Sequence, residues 1–229
     1  MTPAQERGWQ DGFPRFGLTL QAGQLDWDQA FGYAGQRIVE IGFGMGDSLL
    51  QTAQADPAAQ FVGIEVHRPG VGRLLSQLLG ADTRNLRVYA EDAVEVMEQC
   101  LAPNTVDAIH IFFPDPWHKK RHHKRRLIQP KLVHDLATLL RADGYLHLAT
   151  DWVPYAEHMF EVLDAELRRA EALPSDEAGE VVDERAHVGP GLPEPEGRLD
   201  QRTNAGLRHA LVVVGGPRRH VRVRIEEAE

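Results

Sequence analysis

Residues 37–47 read RIVEIGFGMGD. An apolar stretch of β-type residues runs into a segment with glycine at every second position, Gly42, Gly44 and Gly46, and Asp47 then opens a stretch with helical spacing. A strand that passes through a glycine turn into a helix begins an α/β unit, in which ligands meet the carboxyl end of the strand. Glycines there let backbone N–H groups approach a ligand closely, where a side chain would collide. The spacing departs from the dinucleotide fingerprint G-x-G-x-x-G, because Asp47 stands where its third glycine would be.

Outward from this turn, β-type runs alternate with helical ones. Strands are expected at 37–43, 60–66, 86–91, 106–113 and 144–150. Helices are expected within 46–55, 69–80, 92–101 and 125–142, and again over 153–170, with Pro130 marking a helix start. Continuous apolar strands separated by helices predict an α/β fold, a mostly parallel sheet with helices on both faces. HALVVVG (209–215) and HVRVRIE (220–226), around a GGP turn signal, predict a closing antiparallel hairpin. Residues 174–201, rich in Asp, Glu, Pro and Gly, read as a mobile loop within a single domain of residues 1–229.

Composition narrows the function. The chain has 229 residues, 42% hydrophobic, with a formal net charge of −9. Such a surface does not coat nucleic acid wholesale, so an anionic partner must be met locally. No apolar run has the length of a membrane span, and the N-terminus lacks a signal-peptide layout. Cys100 is the only cysteine, which excludes an intramolecular disulfide and a thiolate metal cluster. A cytoplasmic protein with no membrane partner is expected.

Three carboxylates stand at successive strand ends. Glu40 precedes the glycines, Glu65 follows the second strand 19 residues beyond Gly46, and Asp92 follows the third. Glu65 is placed to accept ribose hydroxyls, and Asp92 to meet an adenine edge or to cap the next helix. A pyrophosphate would be repelled by Glu40, so S-adenosylmethionine fits this end better than a nicotinamide dinucleotide.

The fourth strand leads into FFPDPWHKKRHHKRR (112–126). Asp115 lies between Pro114 and Pro116, which stiffen the backbone on both sides. Trp117 is either a flat surface or a core plug. Nine consecutive positions, 118–126, are Lys, Arg or His. A solvated face and a localisation patch are the plain readings of such a run, and a grip on a nucleic-acid backbone is the sharper one. Its three histidines lack the supporting ligands of a metal site, so no metal is expected. Asp151, in LATDW (148–152), is a second carboxylate on the same rim, either a substrate contact or a helix cap.

These stretches carry a resemblance. EIGFGMG, GIEVHRPGVGRLL, the Asp92–Ala93 pair, IFFPDPWHKKRHHKRRL and LATDW closely resemble the bacterial tRNA (guanine-N7-)-methyltransferase family over most of residues 9–160. The resemblance implies a Rossmann-like class I methyltransferase fold. It also implies transfer of a methyl group from S-adenosylmethionine to N7 of guanine 46 in the variable loop of tRNA. Carried across, Glu40, Glu65 and Asp92 bind the donor with the glycine turn. Asp115 is the catalytic aspartate at the donor–guanine junction, touching the donor as well, and Lys119 and Asp151 contact tRNA. No obligatory protein partner is implied. The C-terminus departs from the family: in place of its Thr-Lys-Phe-Glu stretch the chain reads RTNAGLRHALVVVGGP, where only Thr203 corresponds. Two rival readings are a methyltransferase for another substrate and an RNA-binding protein that keeps the fold without the catalysis.

Overall fold

The computed structural model describes residues 1–171, 207–215 and 220–227, with side chains through residue 169. The helices and strands, in chain order, are α1 (Pro3–Arg7), α2 (Phe13–Phe16), β1 (Gly17–Leu18), α3 (Trp27–Phe31), β2 (Arg37–Ile41), α4 (Asp47–Ala55), β3 (Gln60–Ile64), α5 (Arg68–Gly80), β4 (Leu86–Tyr89), α6 (Ala93–Cys100), β5 (Val106–Phe112), α7 (Pro130–Leu139), β6 (Leu140–Thr150), α8 (Val153–Glu171), β7 (Leu207–Gly215) and β8 (His220–Glu227). A short π-helical turn, Gly8–Gly12, joins α1 to α2, and Lys120–Arg125 form a 3₁₀ turn.

The strands make one sheet in the order β1-β4-β3-β2-β5-β6-β7-β8. The first six are parallel, and β7 and β8 run antiparallel at the far edge as the expected hairpin. Strand order reverses between β2 and β5, whose registers pair Ile41 with Ile111. Their carboxyl ends therefore open side by side at a topological switch point, where open α/β sheets bind ligands.

Side chains alternate across the pleat and fill two cores. One face buries Val39, Ile41, Ile109, Ile111 and Leu148 with residues of α6, α7 and α8. The other buries Ile38, Phe61, Val88 and Ala108 with α4 and α5. Every residue of β3 is buried, as expected of a central strand covered on both faces.

The five expected strands and Pro130 at a helix start agree with the structure. The helix expected within 125–142 is shorter, Pro130–Leu139, because the proline takes the first helical position and β6 begins at Leu140. The N-terminal segment packs on α5, where glycines permit close crossing. A Cβ at Gly72 would stand 2.7 Å from the Gln5 carbonyl oxygen, and the Trp9 indole donates to the Arg68 carbonyl at 3.0 Å. The expected loop 174–201 and Thr203 lie outside the described residues.

Candidate active site

At the end of β2 the backbone turns through Gly42, Gly44 and Gly46, at φ 76°, 59° and 80°. These left-handed values cost glycine little and a substituted residue considerably more. The glycine N–H groups are spoken for: Gly42 donates to the Ile64 carbonyl (2.8 Å), Gly46 to the Phe43 carbonyl (3.0 Å) and Gly44 to Glu65 Oε2 (2.8 Å). The glycines thus contribute conformation and room more than donors. A Cβ at Gly42 or Gly44 would meet nothing within 4 Å, so the turn's outer side is open, whereas at Gly46 it would press on Leu74 at 2.8 Å.

Glu65 also accepts from the His67 N–H through Oε1 at 2.8 Å, so one carboxylate ties the glycine turn to the start of α5. A carboxylate has about four acceptor positions, which leaves capacity for hydroxyl donors. Asp92 caps α6, accepting from the Val94 N–H at 2.8 Å, and is exposed at the mouth of β4. Glu40 is buried, 4% exposed, and burial pushes its carboxyl up to about 7. In register beside it on β5, His110 is pushed down to about 4 by burial and by the neighbouring His147.

The Asp115 end is built differently. Phe113 and Trp117 flank the Pro-Asp-Pro triplet with φ of 50° and 46°. A bulky residue in this region costs roughly 1–2 kcal/mol, and such strain persists only where the surroundings over-determine it. They do so here. The Phe113 N–H donates to the Ala149 carbonyl at 2.8 Å, and Arg126 Nε donates to the Pro116 carbonyl at 2.9 Å. The His118 ring meets Trp152 edge-on at 4.4 Å, which joins the Asp115 turn to the turn after β6. Trp117 is neither a free platform nor a core plug. It is half-buried, edge-on to His122 at 5.7 Å and beneath the Arg125 guanidinium at 5.2 Å.

Asp115 is exposed, as are Lys119, Lys120, Arg121, Lys124 and Arg125. Asp151 is exposed on the same rim, where the Thr150 hydroxyl accepts from the Trp152 N–H at 3.3 Å. Among the described residues no group of three or more His, Cys, Asp or Glu side chains is arranged to hold a metal ion, and no helix is long and apolar enough to cross a membrane.

Comparison with known proteins bears on this arrangement. A family described as "Putative methyltransferase" matches residues 34–185. The tRNA (guanine-N(7)-)-methyltransferase of Pseudomonas entomophila is 53% identical over 163 residues, covering 71% of this chain and 68% of the relative. Those of Stutzerimonas stutzeri and Pseudomonas fluorescens are 51% and 52% identical over 164 residues, covering 72% of this chain and 69% and 68% of theirs. The chain belongs to the tRNA (guanine-N(7)-)-methyltransferase family.

In this family member the residues read from sequence gather on one rim. The glycine turn, Glu40, Glu65 and Asp92 stand at the ends of β2, β3 and β4, and Asp115, Lys119 and Asp151 follow β5 and β6. Sequence reading passed over Arg126 and Tyr155, which pack beneath the Asp115 turn, and the His118–Trp152 contact. It also passed over an apolar margin. Met45, Val66, Val94, Phe113 and Trp152, five of the eight exposed large hydrophobics among the described residues, each follow a strand end. Exposed apolar side chains at the ligand end of a sheet are candidates for contact with a bound molecule. A usable signal was present in the sequence, an apolar residue one to five positions beyond each of β2 to β6.

Proposed function

We propose that this methyltransferase transfers a methyl group from S-adenosylmethionine to N7 of a guanine in tRNA, at position 46 of the variable loop. The observation that carries the reading is the switch point. It sets an acidic, glycine-lined turn beside an exposed aspartate, with five exposed Lys and Arg side chains on the segment that follows.

The residues fit the donor. The open outer side of Gly42 and Gly44 gives room for a ligand against the backbone. Glu65 would hold the ribose, Asp92 the adenine side, and Glu40 the cationic end. The apolar margin at Val66 and Val94 suits the faces of an adenine ring. Bound there, S-adenosylmethionine supplies a methyl group carried on a positively charged sulfur.

Guanine N7 bears an exposed lone pair and no proton, so no residue has to act as a general base. Alignment is the main requirement. As the bond from N7 to the methyl carbon forms, the sulfur–methyl bond breaks and leaves a neutral thioether, so positive charge passes to the purine, where the Asp115 carboxylate would stabilise it electrostatically. Asp115 also accepts hydrogen bonds from guanine N–H groups. It orients the base and takes no proton. Lys119 and its exposed neighbours bind phosphates, and Asp151 contacts the substrate on the other side of Asp115. The tRNA is recognised largely through shape and backbone, with the target base accessible or extruded. The enzyme works in the cytoplasm and needs no protein partner.

The test is methyl transfer to an unmodified tRNA transcript, with 7-methylguanine located by chemical cleavage. Cleavage at position 46 alone is expected. A protein that binds donor and tRNA yet leaves the transcript uncleaved would overturn the reading in favour of a non-catalytic RNA-binding protein.

A further inference from the structure

The basic run contains one residue unlike the rest. Five of its six Lys and Arg side chains are exposed, and Arg126 is buried, 5% exposed. We propose that Arg126 is a positioning residue for the Asp115 turn: it holds the Pro116 carbonyl, thereby aiming the Asp115 carboxylate, and takes no part in gripping RNA. The proposal rests on the methyl-transfer reading above.

Three contacts carry it. Arg126 Nε donates to the Pro116 carbonyl at 2.9 Å, bridging ten residues of chain back to the position after Asp115. A second guanidinium nitrogen lies 3.1 Å from His123 Nε2, inside the 3₁₀ turn. The guanidinium carbon also lies over the Tyr155 ring, 4.9 Å from its centre, and Tyr155 is fully buried at the start of α8. Tyr155 is itself held, since its hydroxyl accepts from the Ile128 N–H at 3.4 Å. Gln129 Nε2 donates to the carbonyls of His123 and Arg126, both at 3.3 Å, fixing the backbone that carries the guanidinium.

A buried cation is unfavourable unless it is hydrogen-bonded, and a phosphate-gripping side chain has no reason to leave water. Arginine suits the place because one rigid fork donates in two directions while its flat face stacks. The turn it holds needs holding, since Phe113 and Trp117 keep strained backbone angles on either side of Asp115. Lysine keeps the charge but offers neither the Nε donor nor the planar face, so Arg126→Lys separates charge from geometry.

The test compares Arg126→Lys with the wild type in single-turnover methyl transfer at saturating donor and tRNA. The rate should fall by about 10- to 100-fold, the range expected when reacting groups are misplaced by about an ångström. Donor and tRNA affinities, and the salt dependence of tRNA binding, should stay close to wild type. Neutralising Lys119, Lys120, Arg121 and Lys124 together should instead flatten the logarithmic salt slope by about 0.7–0.9 per lost phosphate contact. A wild-type rate in a folded Arg126→Lys protein, or a salt slope reduced as by the exposed residues, would overturn the assignment.

A measurement on the wild type guards against a variant that fails to fold. The Arg126 Nε–H signal in nitrogen-15 NMR should exchange slowly with water and stay in place when tRNA is added. Rapid exchange, or a shift on tRNA binding, would place Arg126 in the grip. An inactive wild type would fault the methyl-transfer reading, and the salt slope and NMR signal would still decide which way Arg126 faces.

Discussion

The two turns at the switch point solve one problem by opposite means. Both leave a strand and both use left-handed backbone. The glycine turn does so with Gly42, Gly44 and Gly46, and its hydrogen bonds are closed by Phe43 and by Ile64 and Glu65 at the end of β3. The Asp115 turn does so with Phe113 and Trp117, and it depends on Ala149, Trp152 and Arg126, which arrive from other parts of the chain. A turn built of glycine carries little backbone strain to be held against. A turn built of aromatic residues must be held, and holding it aims a side chain more rigidly than glycine would allow. On the proposed reading, rigid aim serves the base and openness serves the donor, so each turn has the construction its proposed partner molecule would require.

If the rigid turn serves the chemistry, Asp115→Asn is the variant that should cost most. It keeps the shape and removes the charge that stabilises the methylated purine. Losing one preorganised contact of this kind lowers turnover by about 10²–10³-fold. Donor and tRNA affinities should move far less, because the loss falls mainly on the transition state. Single-turnover methyl transfer, beside equilibrium binding of each partner, separates the two. A wild-type rate would return Asp115 to a turn residue, and the contrast between the turns would then be structural only.

The same contrast explains what was legible in the sequence. The parallel sheet, its strand positions and the glycine turn were readable because their determinants are local: β-type runs, and glycines at fixed offsets after a strand. The antiparallel pairing of 207–215 with 220–227 was readable from two β-type runs around a GGP signal. The supports of Asp115 were not. Arg126 reads as one more member of a basic run, and only the fold turns it inward against Tyr155. The His118–Trp152 contact joins the ends of two strands, and no spacing rule predicts it.

Glu65 supports the glycine turn through its side chain, where Ile64 does so through its backbone, which makes it the next test of the comparison. Glu65→Ala removes the acceptor for Gly44 and His67 along with the proposed ribose contact. Hydrogen bonds to a charged group contribute about 1.5–3 kcal/mol, so donor affinity should fall roughly 10- to 100-fold by calorimetry. The melting temperature should fall by no more than a few degrees, because the Gly44 and His67 N–H groups lose an acceptor while the glycines keep their conformation without strain. Unchanged affinity in a folded variant would mean that the ribose is held elsewhere.

The smallest effect, and the one that probes the donor side most finely, belongs to Glu40. Burial pushes its carboxyl up to about 7, against an ordinary value near 4.5. Because the folded value is raised, the stability it contributes is fully present below about 4.5 and is lost as pH rises through about 7. Glu40→Gln should therefore remove that decline, so its stability advantage over the wild type grows between those values. His110 acts in the opposite sense, its contribution being present above about 6.5 and lost as pH falls toward 4, and it is present in both proteins, so the decline that Glu40 causes has the opposite slope to it. A cationic donor should favour the ionised carboxylate. Near pH 6 the group is mostly neutral and near pH 8 mostly charged, so wild-type donor affinity should rise across that interval by at most about tenfold. Glu40→Gln should bind the donor more weakly and almost independently of pH. Calorimetry in buffers of differing ionisation heat adds a second reading, since donor binding near pH 7 should release a fraction of a proton from the wild type and none from the variant. A flat wild-type profile with no proton release would mean that Glu40 does not face the cationic end of the donor, and the donor turn would then act through backbone shape and Glu65 alone.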